Sequence, residues 1–473
     1  MLAAFEPMNL LVIVSDTLRR DYLGAYGAQQ MHTPALDRLA EESVVFDRAH
    51  CASFPTLPCR AELFTGKFVF PYLNWGPLPR REVVLAEVLA EAGYTCTMVT
   101  DNLPLCRRRY DYERGFHSRI RIRGQWYDNF QPADHEFRWP CAPEKLRDAS
   151  DGRIKQYLRN IAIRRGEEDC FAPQVIREAI HWLEQNHWRG KFFLYVDLFD
   201  PHEPWDPPSR YVELYDPAPS AEDVIYPAYG PADCYTEAEV KRIRALYAGE
   251  VTLVDRWLGQ LLEALDALGR REDTVVAFLS DHGIFLGERG LMGKMGGKKE
   301  SLKGWPTYCE VSRIPFMLRA PGLAPGRRRA FAHPGDLAPT LLELAGLPVP
   351  QTMRAASLVP VLRGQAQQVR DTAVSSWSLR GWSVHRPSVV RTDEWCLVFW
   401  RSGVEPELYH LPSDPQETVN VYRKHRAAAR DVHRRYIQFL QASGTSWGNY
   451  LPRRWLFSLG QSSRRSLFLE EGA

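Results

Sequence analysis

The chain has 473 residues, of which 45% are apolar and 25% charged, with a formal net charge of +2. This length exceeds what one hydrophobic core usually serves, so one large domain and a smaller one are expected. Nearly balanced charge offers no global attraction to nucleic acid or an anionic membrane. No uninterrupted apolar stretch approaches about 18 residues, so no membrane span is expected.

The first residues lack a basic segment and a small-residue cleavage site, so a strand is expected there and not a signal peptide. The nine cysteines are odd in number with no CxxC spacing, which predicts reduced thiols in a cytoplasmic protein. Asn9 to Ser15 (NLLVIVS) reads as a buried strand running into Asp16. Thr33 to Glu42 reads as a helix with a Thr cap and a Pro in its first turn. Leu57 to Thr65 is a short helix stopping at Gly66, with Pro58 near its start and Thr56 at its N-terminus. A helix over Glu82 to Ala92 precedes a strand over Thr95 to Thr100, which ends at Asp101 and Asn102. A helix over Gln174 to Gln185 precedes a strand over Phe192 to Phe199, which leads to Asp200 and His202. The long helix Glu237 to Leu268 precedes the strand Thr274 to Ser280, which ends at Asp281 and His282.

Later come a helix over Asp336 to Leu347, a linker near Gly364 to Gln368, and strands within Ser388 to Trp400. A turn at Leu411 to Pro415 and a helix from Val421 to Ala442 follow, then a basic, polar tail from Arg453 that is partly disordered or packs on a partner. Alternating strands and helices predict an α/β fold, a mostly parallel sheet with helices on both faces. Residues 1–365 form the catalytic domain and 366–473 a smaller α+β domain. In such sheets ligands bind beyond the carboxyl ends of the strands, where Asp16, Asp101, His202, Asp281 and His282 fall.

Ser280-Asp281-His282-Gly283 places a hard oxygen and an imidazole at one strand end, where the glycine lets the backbone turn. Such a pair suits Mn, Zn or Fe better than an all-oxygen cation such as Ca, which stays open. Alone, an Asp at a strand end is ordinarily a cap or turn former. Two such ends on one sheet edge are more informative. Thr56 would feel the positive end of a helix dipole, or would simply cap that helix.

The motifs NLLVIVSDTLRRDYLGAYG, HTPALDRLAEESVVFDRAH, TLPCRAELFTG, FDPHEPWDPP, SDHGIFLGERGLMGK, EVSRIPFMLRAPG, DLAPTLLELAGL and ELYHLPSDPQETVN together resemble the sulfatase family of the alkaline phosphatase superfamily. They run in the family's order from Asn9 to about Val421. The resemblance implies an alkaline phosphatase-like fold and one divalent metal held by Asp16, Asp281 and His282, with Thr56 as a further ligand. It places Thr56 at the nucleophile position of the C-x-P-x-R or S-x-P-x-R motif and Arg60 at that motif's arginine. His202 and Lys294 would contact the substrate oxyanion or leaving group.

Three departures modify this expectation. Thr56 cannot become formylglycine by the route open to Cys or Ser, and Cys59, in the motif's variable slot, is no substitute. Thr17 stands where many sulfatases carry a second Asp, which favours a softer ion than calcium. Asp101 and Asn102 replace a GKWH-like segment. Asn102 could donate to an ester oxygen, and Asp101 nearby would repel a second negative charge. A second metal would draw on Asp200, His202 and His333, whose spacing does not match the pattern for such a site.

The sequence therefore predicts a metal-dependent hydrolase of sulfate or phosphate esters, with Thr56 or a metal-bound water as nucleophile. Phosphodiesters or phosphonate monoesters are favoured over sulfate. Catalytic roles fall to Thr56, Arg60, His202 and Lys294, and substrate binding to Asn102, His202 and Lys294. The substrate would be a small anionic ester, with no nucleic acid or membrane partner and a homo-oligomer left open. The rivals are a conventional arylsulfatase-like enzyme and a catalytically silent sulfatase-like binding protein.

Overall fold

In the computed structural model, which describes residues 8–132, 134, 136–296, 304–380, 386–400 and 404–456, the apolar runs pair into an eight-stranded sheet. Its strands in chain order are β1 (Asn9–Ser15), β2 (Val44–Ala49), β3 (Thr95–Thr100), β4 (Ser118–Arg121), β5 (Phe192–Leu198), β6 (Thr274–Ser280), β7 (Phe316–Arg319) and β8 (Gly326–Ala332). The spatial order is β8-β2-β7-β6-β1-β5-β3-β4, and only β7 runs antiparallel to its neighbours.

The central strands β1, β5 and β6 are buried along their whole length. Their side chains alternate between two cores, as strand pleating requires. Leu11 and Ile13 of β1 join one cluster with the helices Phe171–Asn186 and Glu237–Ala267, while Leu10, Val12 and Val14 join the other with the helix Leu337–Leu344. The long helix is capped by Thr236, whose hydroxyl accepts from Glu239 N while the Glu239 carboxylate accepts from Thr236 N.

A smaller five-stranded sheet follows, built from Ala373–Trp377, Ser388–Arg391, Trp395–Phe399 and Glu407–His410, and edged by Ser53–Phe54. The helix Arg426–Ala442 packs Ala429, Val432, Tyr436 and Leu440 against it. That helix starts later than periodicity predicts, because Val421 N donates to Leu408 O and holds the entry segment on the sheet. The helix expected from Glu82 begins only at Leu85, since Val84 is extended and Glu82 is engaged by Lys67. At the C-terminus, Leu451–Arg453 forms a helical turn with Arg453 buried, while 457–473 lie outside the described residues.

Candidate active site at the carboxyl edge of the sheet

Register builds the site. Ser15 of β1 pairs with Leu198 of β5 on one side and Ser280 of β6 on the other, so Asp16 and Asp281 emerge side by side. Single ligand atoms of Asp16, Asp281 and His282 lie within 4.8 Å of one another, and all three residues are buried. Thr17 fastens the two strand ends. Its N–H donates to Asp281 Oδ1 at 2.9 Å, and its carbonyl accepts from the Tyr247 hydroxyl at 2.8 Å. This requires φ of 63°, an outlier conformation for a β-branched residue. Gly283 is needed for close approach and not, as expected, for a turn: a Cβ there would stand 2.1 Å from the Glu310 carbonyl oxygen.

The helix Thr56–Thr65 brings its first turn to the same place. Thr56 Oγ1 lies 3.5 Å from His282 Nε2. The His282 Nδ1–H is assigned to Gly283 O at 3.0 Å, which leaves the Nε2 lone pair facing Thr56. Burial, with the Lys294 charge second, pushes the His282 pKa down to about 3, so the ring is a neutral donor. Arg60 follows Thr56 by four residues and shares its helix face. Arg60 Nε and Nη2 each meet an Asp197 carboxylate oxygen at 3.0 Å, while Nη1 contacts Asp281 and reaches Asp16 at 3.2 Å. Burial opposes the Arg60 cation, but Asp197, Asp281 and Asp16 outweigh it. Arg60, at the motif's arginine position, thus braces the three carboxylates.

Lys294 completes the near side. Its Nζ donates to Thr17 Oγ1 at 2.6 Å, and that hydroxyl donates to Asp16 Oδ1 at 2.7 Å. His202 stacks on Phe199 with ring centroids 4.1 Å apart and donates Nδ1–H to the Glu203 carbonyl at 2.7 Å. Burial first, and Lys294 second, hold its pKa well below the usual range. His202 is therefore a neutral acceptor through Nε2.

Asn102 reaches the site but faces inward. Its Nδ2 donates to Asp197 Oδ1 at 3.1 Å and to Asp16 Oδ2 at 3.4 Å, which commits the amide to the carboxylates and not to an ester oxygen. Asp101 points elsewhere, because successive residues at a strand end face opposite ways. Its carboxylate accepts from Phe199 N and Gln125 Nε2, and burial with Asp200 beside it raises its pKa well above normal. The repulsion of dianions expected from Asp101 is thus withdrawn. Asp200 accepts from Gln125 and Ala172 N, and His333 from a separate turn donates to His50 O, so neither joins the metal cluster. Burial drives the Cys59 thiol well above its usual pKa.

Asp197 and Glu203 are the site residues that the sequence reading missed. Asp197 is the one charged residue in the run FFLYVDL, an unusual burial that could have flagged it. Glu203 carried no signal beyond its place next to His202.

A family model described as Sulfatase matches residues 8–347, and one described as N-sulphoglucosamine sulphohydrolase, C-terminal, matches 305–441. The chain belongs to the sulfatase family. It is 25% identical to an arylsulfatase of Clostridium perfringens, over 93% of this chain and 95% of that one. It is 26% identical to the multifunctional alkaline phosphatase superfamily protein PehA of Trinickia caryophylli, over 87% of this chain and 91% of the relative. The crystal structure of a phosphonate monoester hydrolase of Agrobacterium radiobacter superposes with a TM-score of 0.71 and 25% identity, covering 93% and 95% of the two chains. The sulfatase-family chain is thus an ester hydrolase with sulfatases and phosphonate monoester hydrolases among its relatives.

Members of this superfamily use a divalent metal ion. The donor set fits one. Asp16, Asp197 and Asp281 surround a single guanidinium, leaving two negative charges in excess among fully buried groups. Asn102 Oδ1, on the side chain bonded to Asp16, is a buried acceptor without a hydrogen-bond partner. Two carboxylates and a neutral imidazole can together hold such an ion. Among the described residues this is the one such cluster.

Proposed function

We propose that this sulfatase-family hydrolase prefers phosphorus esters, phosphodiesters or phosphonate monoesters, over sulfate esters, and that Thr56 is its nucleophile. The observation that carries the reading is Thr56 Oγ1, at a helix N-terminus, 3.5 Å from Nε2 of His282, which clusters with Asp16 and Asp281. A divalent ion held by Asp16, Asp281 and His282 would lower the hydroxyl pKa and screen the negative charges that must meet. The positive end of the helix dipole at Thr56 favours the ester's non-bridging oxygens. Lys294, which carries protons, donates to the departing oxygen. His202, whose Nε2 is a lone pair, accepts a proton from the water that later releases the Thr56 ester. Arg60 keeps Asp281 and Asp16 aligned. Kinship with a phosphonate monoester hydrolase supports the preference, as does a residue at position 56 that cannot become formylglycine.

The test is turnover of 4-nitrophenyl sulfate, 4-nitrophenyl phosphate, bis(4-nitrophenyl) phosphate and 4-nitrophenyl phenylphosphonate by wild type and Thr56→Ala, with Mn or Zn supplied. Phosphorus esters should react faster than the sulfate, and Thr56→Ala should lose more than about a hundredfold in kcat. A sulfate preference with Thr56 intact would overturn the substrate reading. A Thr56→Ala enzyme of nearly full activity would remove Thr56 from the chemistry.

A further inference from the structure

We propose that Glu203 is a specificity-determining residue: its buried carboxylate, aimed at Lys294 and His202, tunes the pocket for monoanionic esters and against dianions. The inference rests on the reading that Lys294 and His202 face the ester.

Glu203 is fully buried, and its two oxygens have different surroundings. Oε1 accepts from the Tyr229 hydroxyl and from Arg147 Nη1 at 3.3 Å. Oε2 is buried without a hydrogen-bond partner, 3.8 Å from Lys294 Nζ and 3.5 Å from His202 Nδ1. His202 spends its Nδ1–H on the Glu203 carbonyl, so the carboxylate charge is not consumed there. The carboxylate cannot swing aside. Arg147 lies 3.9 Å from the Tyr229 ring centroid, and Tyr229 packs on Gly293, where a Cβ would stand 2.2 Å from the ring. Gly293 immediately precedes Lys294, so the anchor and the lysine are parts of one packed unit.

Charge explains the consequence. Asp16, Asp197, Asp281, Glu203 and Asp148 exceed the cations Arg60, Lys294, Arg147 and Arg153 by one negative charge, so a divalent ion leaves the pocket with one positive charge. A monoanionic ester balances that charge, and a dianion leaves one negative charge uncompensated. In a low-dielectric site that charge is costly. Without Glu203 the pocket would hold one more positive charge, and the dianion would gain most.

The metal-loaded enzyme tests this with 4-nitrophenyl phosphate, a dianion at pH 8, against bis(4-nitrophenyl) phosphate, a monoanion. Glu203→Gln keeps the volume and the Oε1 acceptor and removes the charge. It should raise the monoester-to-diester ratio of kcat/KM by about tenfold, through a lower KM for the monoester. A parallel loss on both esters would make Glu203 structural and overturn the proposal. Wild type provides an arm that needs no folded variant. As pH falls through about 6, where the phosphate monoester dianion takes up a proton and becomes a monoanion, kcat/KM for the monoester should rise relative to the diester. A flat or falling ratio overturns the proposal alone; no turnover of either ester overturns the functional reading beneath it.

Discussion

Lys294 is 4% exposed and lies among Thr17, Asp16 and Glu203. Burial lowers its pKa from the ordinary 10.5, against the pull of Glu203, Asp16 and Asp281. A lysine that must donate a proton loses activity as pH rises through its own pKa, so the alkaline limb of kcat should fall below pH 10.5. Lys294→Arg keeps a positive charge and does not deprotonate in this range, so its residual activity should lack that limb. An unchanged limb in Lys294→Arg would assign the titration to another group. The acid side differs. His282, with its pKa near 3, stays neutral at every practical assay pH. At this scale the sequence was legible where chemistry sits at a strand end, as with Asp16, Asp281 and His282. It failed at Asp101 and Asp197, because strand alternation decides which carboxylate turns inward. The last strand position can be shifted by one residue without any change in composition.

The helix Thr56–Thr65 does more than present Thr56. Glu62, two residues beyond Arg60, accepts from Ser53 N at 2.8 Å and from Gly335 N at 3.3 Å. It thereby ties the helix to the edge of the small sheet and to the turn before the helix Leu337–Leu344. Burial raises its pKa to about 8, so the folded state keeps a proton that the unfolded chain releases near 4.5. Between those values the folded state binds more protons, and stability contributed by the protonated group falls as pH rises. Relative to wild type, Glu62→Gln should gain in Tm from pH 5 to pH 9, levelling above about 8, in thermal unfolding followed by circular dichroism. A Tm difference independent of pH would mean that Glu62 is ionised in the fold. Element types were readable from the sequence because period and length agreed, as in Glu237–Ala267 with its Thr236 cap. The reach of Arg60 to Asp197 was not, since the partners lie 137 residues apart and only the parallel register of β1, β5 and β6 joins them.

Across the whole molecule, the sheet edge concentrates negative charge that the fold itself does not cancel. Asp16, Asp197 and Asp281 are fully buried around one arginine, and burying charge in excess of its partner costs stability. A divalent ion binding there should stabilise the folded state by RT ln(1 + [L]/Kd), about 2.7 kcal/mol at a hundredfold excess over Kd. Asp281→Asn should therefore act with opposite signs in two conditions. After chelation the variant should melt no lower than wild type, because one unbalanced charge is gone. With saturating Mn or Zn it should melt lower, because a ligand is gone. A titration of Tm against metal would read both, with EDTA-treated protein as the origin. Wild type unmoved by every divalent ion tested would overturn the metal assignment. A variant that melts lower in both conditions would show that Asp281 serves the fold through its contacts with Arg60 and Thr17 more than through its charge.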